Sequence, residues 1–152
     1  ILVGVTYALL DLIEKQNFQL KNTLIMETGG MKGKRKELIR EELHEILCHG
    51  FGVKHIHSEY GMTELLSQAY SKGDGIFECP PWMKIMIRDT NDPFRYLEDG
   101  RTGGINIIDL ANKDTIAFIA TDDLARFSAD GSFEITGRID NCDIRGCSLL
   151  AV

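Results

Sequence analysis

The chain has 152 residues, 43% of them hydrophobic and 26% charged, which suits one soluble domain, or part of one, with a real core. A net charge of −6 and a pI near 5.2 argue against a nucleic-acid surface, which needs a basic face. No apolar run approaches a membrane span, and Cys48, Cys79, Cys142 and Cys147 lack C-x-x-C spacing, so they read as reduced thiols in a cytoplasmic protein.

The first half alternates strand and helix. Residues 1–5 read as a buried strand; they lack a basic leader and a cleavage site, so they are no signal peptide. With no initiator methionine, the chain reads as a fragment that starts mid-strand. Thr6 is suited to cap a helix carried by Leu9, Leu10, Leu12 and Ile13. Residues 20–26 read as a second buried strand that runs into Glu27-Thr28-Gly29-Gly30-Met31-Lys32-Gly33.

Lys32, Lys34, Arg35 and Lys36 then form the only dense basic patch, followed at once by Glu37, Glu41, Glu42 and Glu45; it reads as a helix start with a local ligand role. Residues 35–49 are predicted helical, with Ile39, Leu43, Ile46 and Leu47 on one face and Gly50 or Gly52 at the end. Residues 53–57 make the third strand. This βαβ order predicts a parallel sheet with covering helices.

The character changes around Gly73-Asp74-Gly75 and Pro80-Pro81, which divides the chain into a βαβ nucleotide-binding half (1–76) and a β-rich half (77–152). Strands are predicted over 82–88, 104–110, 115–121 and 132–136, with turns at Asn91-Asp92-Pro93 and Ala129-Asp130-Gly131. The second half should form an antiparallel meander or small barrel. Trp82 and Phe77 are expected in its core.

Four segments carry chemistry. Tyr60-Gly61-Met62-Thr63-Glu64 follows the third strand, where ligands bind in open α/β sheets. Its ring can stack on a base, its glycine lets the backbone approach a ligand, and its carboxylate can take a hard cation together with phosphates. Read by themselves, these residues fit equally well a half-buried loop aromatic, a turn glycine and a first-turn acid. The glycine loop at Thr28 suits close backbone approach to a ligand. Thr121-Asp122-Asp123-Leu124 offers a carboxylate to ribose hydroxyls, and Gly137-Arg138-Ile139-Asp140 a guanidinium to phosphate or carboxylate. A strand-ending turn, a surface acid and a structural ion pair are the plainer alternatives. His55, His57 and Cys79 are weaker candidates for a metal than for surface or hydrogen-bonded groups.

In this order the four segments resemble the signature of the adenylate-forming enzyme superfamily, which includes the acyl-CoA synthetases. Thr28-Gly29-Gly30-Met31-Lys32-Gly33, the block 59–67 and the ending Arg145-Gly146-Cys147-Ser148-Leu149-Leu150 look most like the acyl-protein synthetase family, with phenylacetate-CoA ligases as cousins. The resemblance implies the carboxyl-terminal portion of that fold, with ATP and Mg²⁺ as cofactors and a fatty or aryl carboxylic acid as substrate. It further implies an acyl-acceptor or reductase protein as a partner.

By position, it implies adenine against Tyr60, with Thr28, Gly29 and Gly30 at the same end and Gly61 and Met62 beside it. Thr63 would touch phosphate, Glu64 would hold Mg²⁺, Asp123 the ribose, and Arg138 the ribose or phosphate. Cys147 would accept the acyl group as a thioester, with Cys142 as its rival; Arg145 would favour the Cys147 thiolate. A phenylacetate-type CoA ligase and a non-catalytic acyl- or partner-binding module are the alternatives. Three departures stand out. Thr121-Asp122-Asp123 replaces Thr-Gly-Asp, which leaves Asp122 open as the ribose ligand. Residues 140–146 form a short hinge without a lysine-bearing lid, and no Ser/Thr/Gly-rich phosphate loop precedes the motifs. A fragment of this kind is expected to bind ATP weakly and to turn over poorly or not at all.

Overall fold

Parallel strands need a long crossover between them, and the chain supplies two helices for that purpose. A computed structural model describes residues 1–36 and 38–139. Strand β1 (Leu2–Val5) leads through helix α1 (Thr6–Lys15) to β2 (Ile25–Thr28), and α2 (Arg40–Phe51) leads on to β3 (His57–Tyr60). The three strands are parallel, with Val5 opposite Thr28 and Thr28 opposite Glu59. From there the pairing is antiparallel through β4 (Ala69–Ser71), β5 (Ile76–Glu78), β6 (Met83–Arg88), β7 (Thr102–Asp109), β8 (Phe118–Phe127) and β9 (Phe133–Arg138). The sheet order is β1-β2-β3-β4-β5-β9-β8-β7-β6, so among the described residues the meander stays open and does not close into a barrel.

Two apolar clusters follow from this division. Leu9, Leu10, Leu43, Leu47 and Phe51 of the helices pack with Ile25, Met31 and Ile56. The second cluster joins Tyr60, Leu65 and Phe77 to Ile85, Ile87, Ile105, Ile107, Phe133 and Ile135. Arg40, at the start of α2, lies 5.4 Å from the ring centre of Phe77 in the second cluster.

The helix face differs from its prediction. Leu43 and Leu47 are buried, but Ile39 and Ile46 are substantially exposed, and Phe51 takes their place in the core. Phe77 is buried as expected, whereas Trp82 is 51% exposed, its indole turned to a hydrogen bond with the Ser67 hydroxyl.

Local backbone chemistry explains the shifted boundaries. Residues 20–24 are no strand: the Leu20 amide bonds the Phe51 carbonyl at the end of α2, and the Thr23 amide turns back to Leu20. The basic patch is not a helix start either. Lys32 and Gly33 have left-handed backbone, and Arg35 reaches across to Asp11 and Glu14 of α1. Helix α2 then ends at Gly52, whose amide caps the Cys48 carbonyl. Strands β4 and β5 went unpredicted because three residues are too few for an alternation signal.

Thr6 does not cap α1. It is the first helical residue, and its hydroxyl donates to Glu27 Oε2 at 3.0 Å. Glu27 also faces His44, whose Nε2 is 3.8 Å from Oε1 and 3.4 Å from the Ser58 hydroxyl. Burial works to raise the Glu27 carboxyl, but His44, Ser58 and Thr6 outweigh it and hold the group below the ordinary glutamate value. A folded value below the unfolded one means that Glu27 contributes stability above about pH 4.5 and loses it as pH falls through the folded value. Acid unfolding followed by circular dichroism should therefore steepen below that pH, by at most about 1.4 kcal/mol per pH unit for this one proton. Glu27→Gln should remove that component of the slope.

Candidate functional site

The carboxyl ends of β2 and β3 lie side by side, with the glycine loop after one and the Tyr60 block at the end of the other. Thr28 and Glu59 are register partners, and the Thr28 hydroxyl donates to Glu59 Oε1 at 3.2 Å. Immediately after Thr28, Gly29 and Gly30 have φ of 72° and 55°, a left-handed pair that only glycine adopts without strain. The main chain is thereby turned across the strand ends. Met31 follows, buried against the helical cluster, and anchors the loop.

Tyr60 ends β3 and is 3% exposed. Its ring meets Phe77 and Phe133 in edge-to-face contacts at 6.2 and 6.0 Å, and those two rings stack on each other at 5.6 Å. The Tyr60 hydroxyl donates to Asp123 Oδ2 at 2.9 Å. Asp123 sits on β8 opposite Arg138 of β9, whose Nε lies 3.3 Å from Oδ1. Burial pushes the Asp123 carboxyl above its ordinary value; the Tyr60 hydroxyl and Arg138 pull the other way, and Asp122 adds to the rise. Strand alternation carries Asp122 to the opposite face, where it is exposed.

Beneath Asp123 is a support that the sequence reading missed. The Arg88 guanidinium donates to the Ile105 and Thr121 carbonyls at 2.8 and 2.7 Å and to Asn106 Oδ1 at 2.9 Å. The Thr121 hydroxyl donates to the Ile105 carbonyl and accepts the Asp123 amide at 3.1 Å. The irregular register of β7 between Gly104 and Asn106 belongs to this packing. Gly103-Gly104 is the signal that was available, since paired glycines inside a strand mark close approach of another group. A methyl group on Gly104 would lie 2.6 Å from the guanidinium carbon, and one on Gly103 would lie 2.2 Å from the Arg88 carbonyl oxygen.

Thr63 and Glu64 follow β3 on an exposed loop and line a cavity of about 580 Å³ with Leu66, Asn112, Ile116 and Phe118. Met62, beside them, packs on the second cluster. Among the described residues no group of three or more His, Cys, Asp or Glu side chains could hold a metal, so His55, His57 and Cys79 form no such site. A carboxylate and a hydroxyl are too few donors to hold a hard cation by themselves.

Of the cysteines, burial pushes Cys48 up and Cys79 up to about 11, which leaves both thiols poor nucleophiles. Cys142, Arg145 and Cys147 lie outside the described residues, as does Asp140. No helix among the described residues is long and apolar enough to cross a membrane.

No protein-family profile matches the chain, and no curated protein matches it. Solved structures do. The chain is 21% identical to O-succinylbenzoate Coenzyme A synthetase (MenE) from Bacillus subtilis, in complex with ATP and magnesium ion, with a TM-score of 0.65 over 93% of this chain and 32% of that one. ATP-bound MatB from Rhodopseudomonas palustris matches with 19% identity and a TM-score of 0.62, over 90% of this chain and 30% of that one. A mutant form of coronafacic acid ligase from Pectobacterium brasiliense matches with 21% identity and a TM-score of 0.62, over 90% and 29%. The chain thus spans about a third of the length of these proteins. Its mixed sheet and two helices have the fold of the carboxyl-terminal part of adenylate-forming enzymes.

The Arg88 support has a measurable consequence. Gly103→Ala forces a side chain against backbone that cannot yield and should cost about 1–3 kcal/mol of stability in urea unfolding. Gly131→Ala is the contrasting case, with open space around it but φ of 83°, so its cost is left-handed backbone strain without a clash.

Proposed function

We propose that this chain is part of an ATP-dependent acyl-activating ligase, with the nucleotide held where Thr28, Tyr60, Asp123 and Arg138 converge. The observation that carries the reading is the line from the Tyr60 hydroxyl, hydrogen-bonded to Asp123, to Arg138, ion-paired with Asp123, which joins three separate sequence motifs in a fold shared with an ATP-bound synthetase. In this reading Asp123, already set by Tyr60 and Arg138, accepts the ribose hydroxyls. New donors there would relieve a carboxylate that burial disfavours. Asp122 points away from this line and is the lesser candidate.

Thr28, Gly29 and Gly30 border the adenine, with Tyr60, Gly61 and Met62 on its other side. Because Tyr60 is only 3% exposed, its contact with the base is a narrow strip, and its larger task is to hold Asp123. Thr63 meets phosphate, Glu64 takes the Mg²⁺ that accompanies it, and Arg138 approaches the ribose or phosphate. A substrate carboxylate oxygen attacks the α-phosphorus, the bond to the bridging oxygen breaks, and pyrophosphate leaves as the acyl-adenylate forms. Mg²⁺ supplies charge neutralisation for this step, and this chain's residues supply position.

The acyl group then passes to a nucleophile. In an acyl-protein synthetase this is a cysteine thiol, here Cys147 with Cys142 as the rival; the thiolate sulfur attacks the acyl carbon and AMP leaves. A fatty or aryl acid is the proposed substrate, and a protein acceptor or reductase the proposed partner. Coenzyme A is the second reading for the acceptor, favoured by the likeness to a Coenzyme A synthetase. Residues 1–152 alone are expected to bind ATP weakly, since the matched ligases are about three times as long.

Pyrophosphate release by the full-length protein, measured across carboxylic acids with and without CoA, tests the reading. Release with at least one acid is expected, and Glu64→Gln should lower it roughly 100-fold or more. Silence with every acid would sink catalysis and leave a binding module. A product that requires CoA would move the acceptor from protein to cofactor. Separately, Cys147→Ser should abolish acyl-enzyme labelling by a radioactive acid; undiminished labelling would discard Cys147 as the acceptor.

A further inference from the structure

A loop can present a ligand only as precisely as its own backbone is held, and the loop that carries Thr63 and Glu64 is held from outside. Asp109, at the end of β7, is 0% exposed. Its Oδ2 accepts the Leu66 and Ser67 amides at 3.1 and 2.8 Å, and its Oδ1 accepts the Ser67 hydroxyl and the Ala111 amide at 2.8 and 3.0 Å. Asn112, on the 3₁₀ turn Leu110–Asn112, completes the grip. Its Oδ1 accepts the Leu66 amide at 2.8 Å, and its Nδ2 donates to the Glu64 carbonyl at 2.7 Å. The Asn112 amide therefore spans the peptide groups on both sides of Leu65, a residue itself buried in the second cluster.

The Glu64 main chain is tied to the 3₁₀ turn after β7, 48 residues further along the chain. A buried acid with four donors costs much to desolvate, and the fold retains it at the base of the loop that bears the proposed magnesium ligand. We infer that Asp109 and Asn112 are positioning residues: they clamp the Glu64–Ser67 backbone so that the Glu64 carboxylate is aimed into the cavity, with Asn112 the direct holder of Glu64. The inference rests on the reading of Glu64 as the residue that takes the metal accompanying ATP. Asn112 also lines that cavity, so the clamp and its cargo share one wall.

The test uses the full-length protein with Mn²⁺ as the metal probe and α,β-methylene-ATP as the nucleotide. Electron paramagnetic resonance reads bound Mn²⁺, and calorimetry without metal reads the nucleotide alone. Asn112→Ala should weaken Mn²⁺ binding in the ternary complex roughly 10-fold or more, as loss of an orienting partner does elsewhere, while metal-free nucleotide affinity stays within about twofold. Glu64→Gln should weaken Mn²⁺ at least as much, and the double variant should be no worse than Glu64→Gln. If Asn112→Ala does not fold, Asn112→Ser gives the same comparison with a smaller polar side chain in place.

Each failure has its own signature. Mn²⁺ binding that falls in Glu64→Gln but not in the Asn112 variants overturns the clamp and leaves Glu64 in its role. Binding unchanged in Glu64→Gln overturns the Glu64 reading itself. Equal loss of metal-free nucleotide affinity in Asn112→Ala would mean general loosening of the loop, and would also overturn the clamp.

Discussion

The hydrogen bond from the Tyr60 hydroxyl to Asp123 joins the last parallel strand to the middle of the antiparallel meander, across 63 residues of chain. Nothing in either half alone would place a tyrosine ring under a carboxylate on β8. Once made, the bond sets the positions of several groups. Phe77 and Phe133 pack around the ring, Arg138 meets the far side of the carboxylate, and Arg88 holds the strand from below. A buried polar contact of this kind is worth having only when both partners are fully placed, which makes it a constraint on everything around it.

Three buried or half-buried acids show how differently the same chemical group is used. Glu27 and Asp109 are surrounded by donors that hold each carboxyl below its ordinary value despite burial. Both tie one element to another: Glu27 faces α1, α2 and β3, and Asp109 the loop after β3. Asp123 is the exception, pushed up because its donors do not offset its burial. Asp123 thus differs from the other two in its balance of burial and donors, although it too ties separate strands together through Tyr60 and Arg138.

Much of this was legible in the residues. The βαβ order and the meander follow from hydrophobic periodicity and turn chemistry, which act over a few residues and are written locally. The third strand, however, runs over His57–Tyr60 rather than 53–57, and Thr121 to Leu124 lies inside β8 rather than after a strand. Where local signals were weak or were overruled, the reading failed. Arg35 looked like the start of α2 because charge and periodicity continued through it, but Asp11 and Glu14 drew it onto α1. Thr6 looked like a cap, yet Glu27 offered its hydroxyl a better partner. Trp82 looked like core and instead lies half exposed, bonded to Ser67.

By itself, then, the sequence determined the kinds of element, their order and the chemistry available at Thr28, Tyr60, Glu64, Asp123 and Arg138. The tertiary structure alone decided which of these meet. It aligned Thr28 with Glu59, set Tyr60 on Asp123, and turned Asp122 away from Arg138's partner. It also recruited Arg88, Asp109 and Asn112, three residues with no motif around them. The reason is physical. Propensity and periodicity are properties of neighbouring residues, whereas hydrogen bonds to a buried carboxylate are made by whatever donors the packed sheet brings within 3 Å or so, and only the complete fold specifies those.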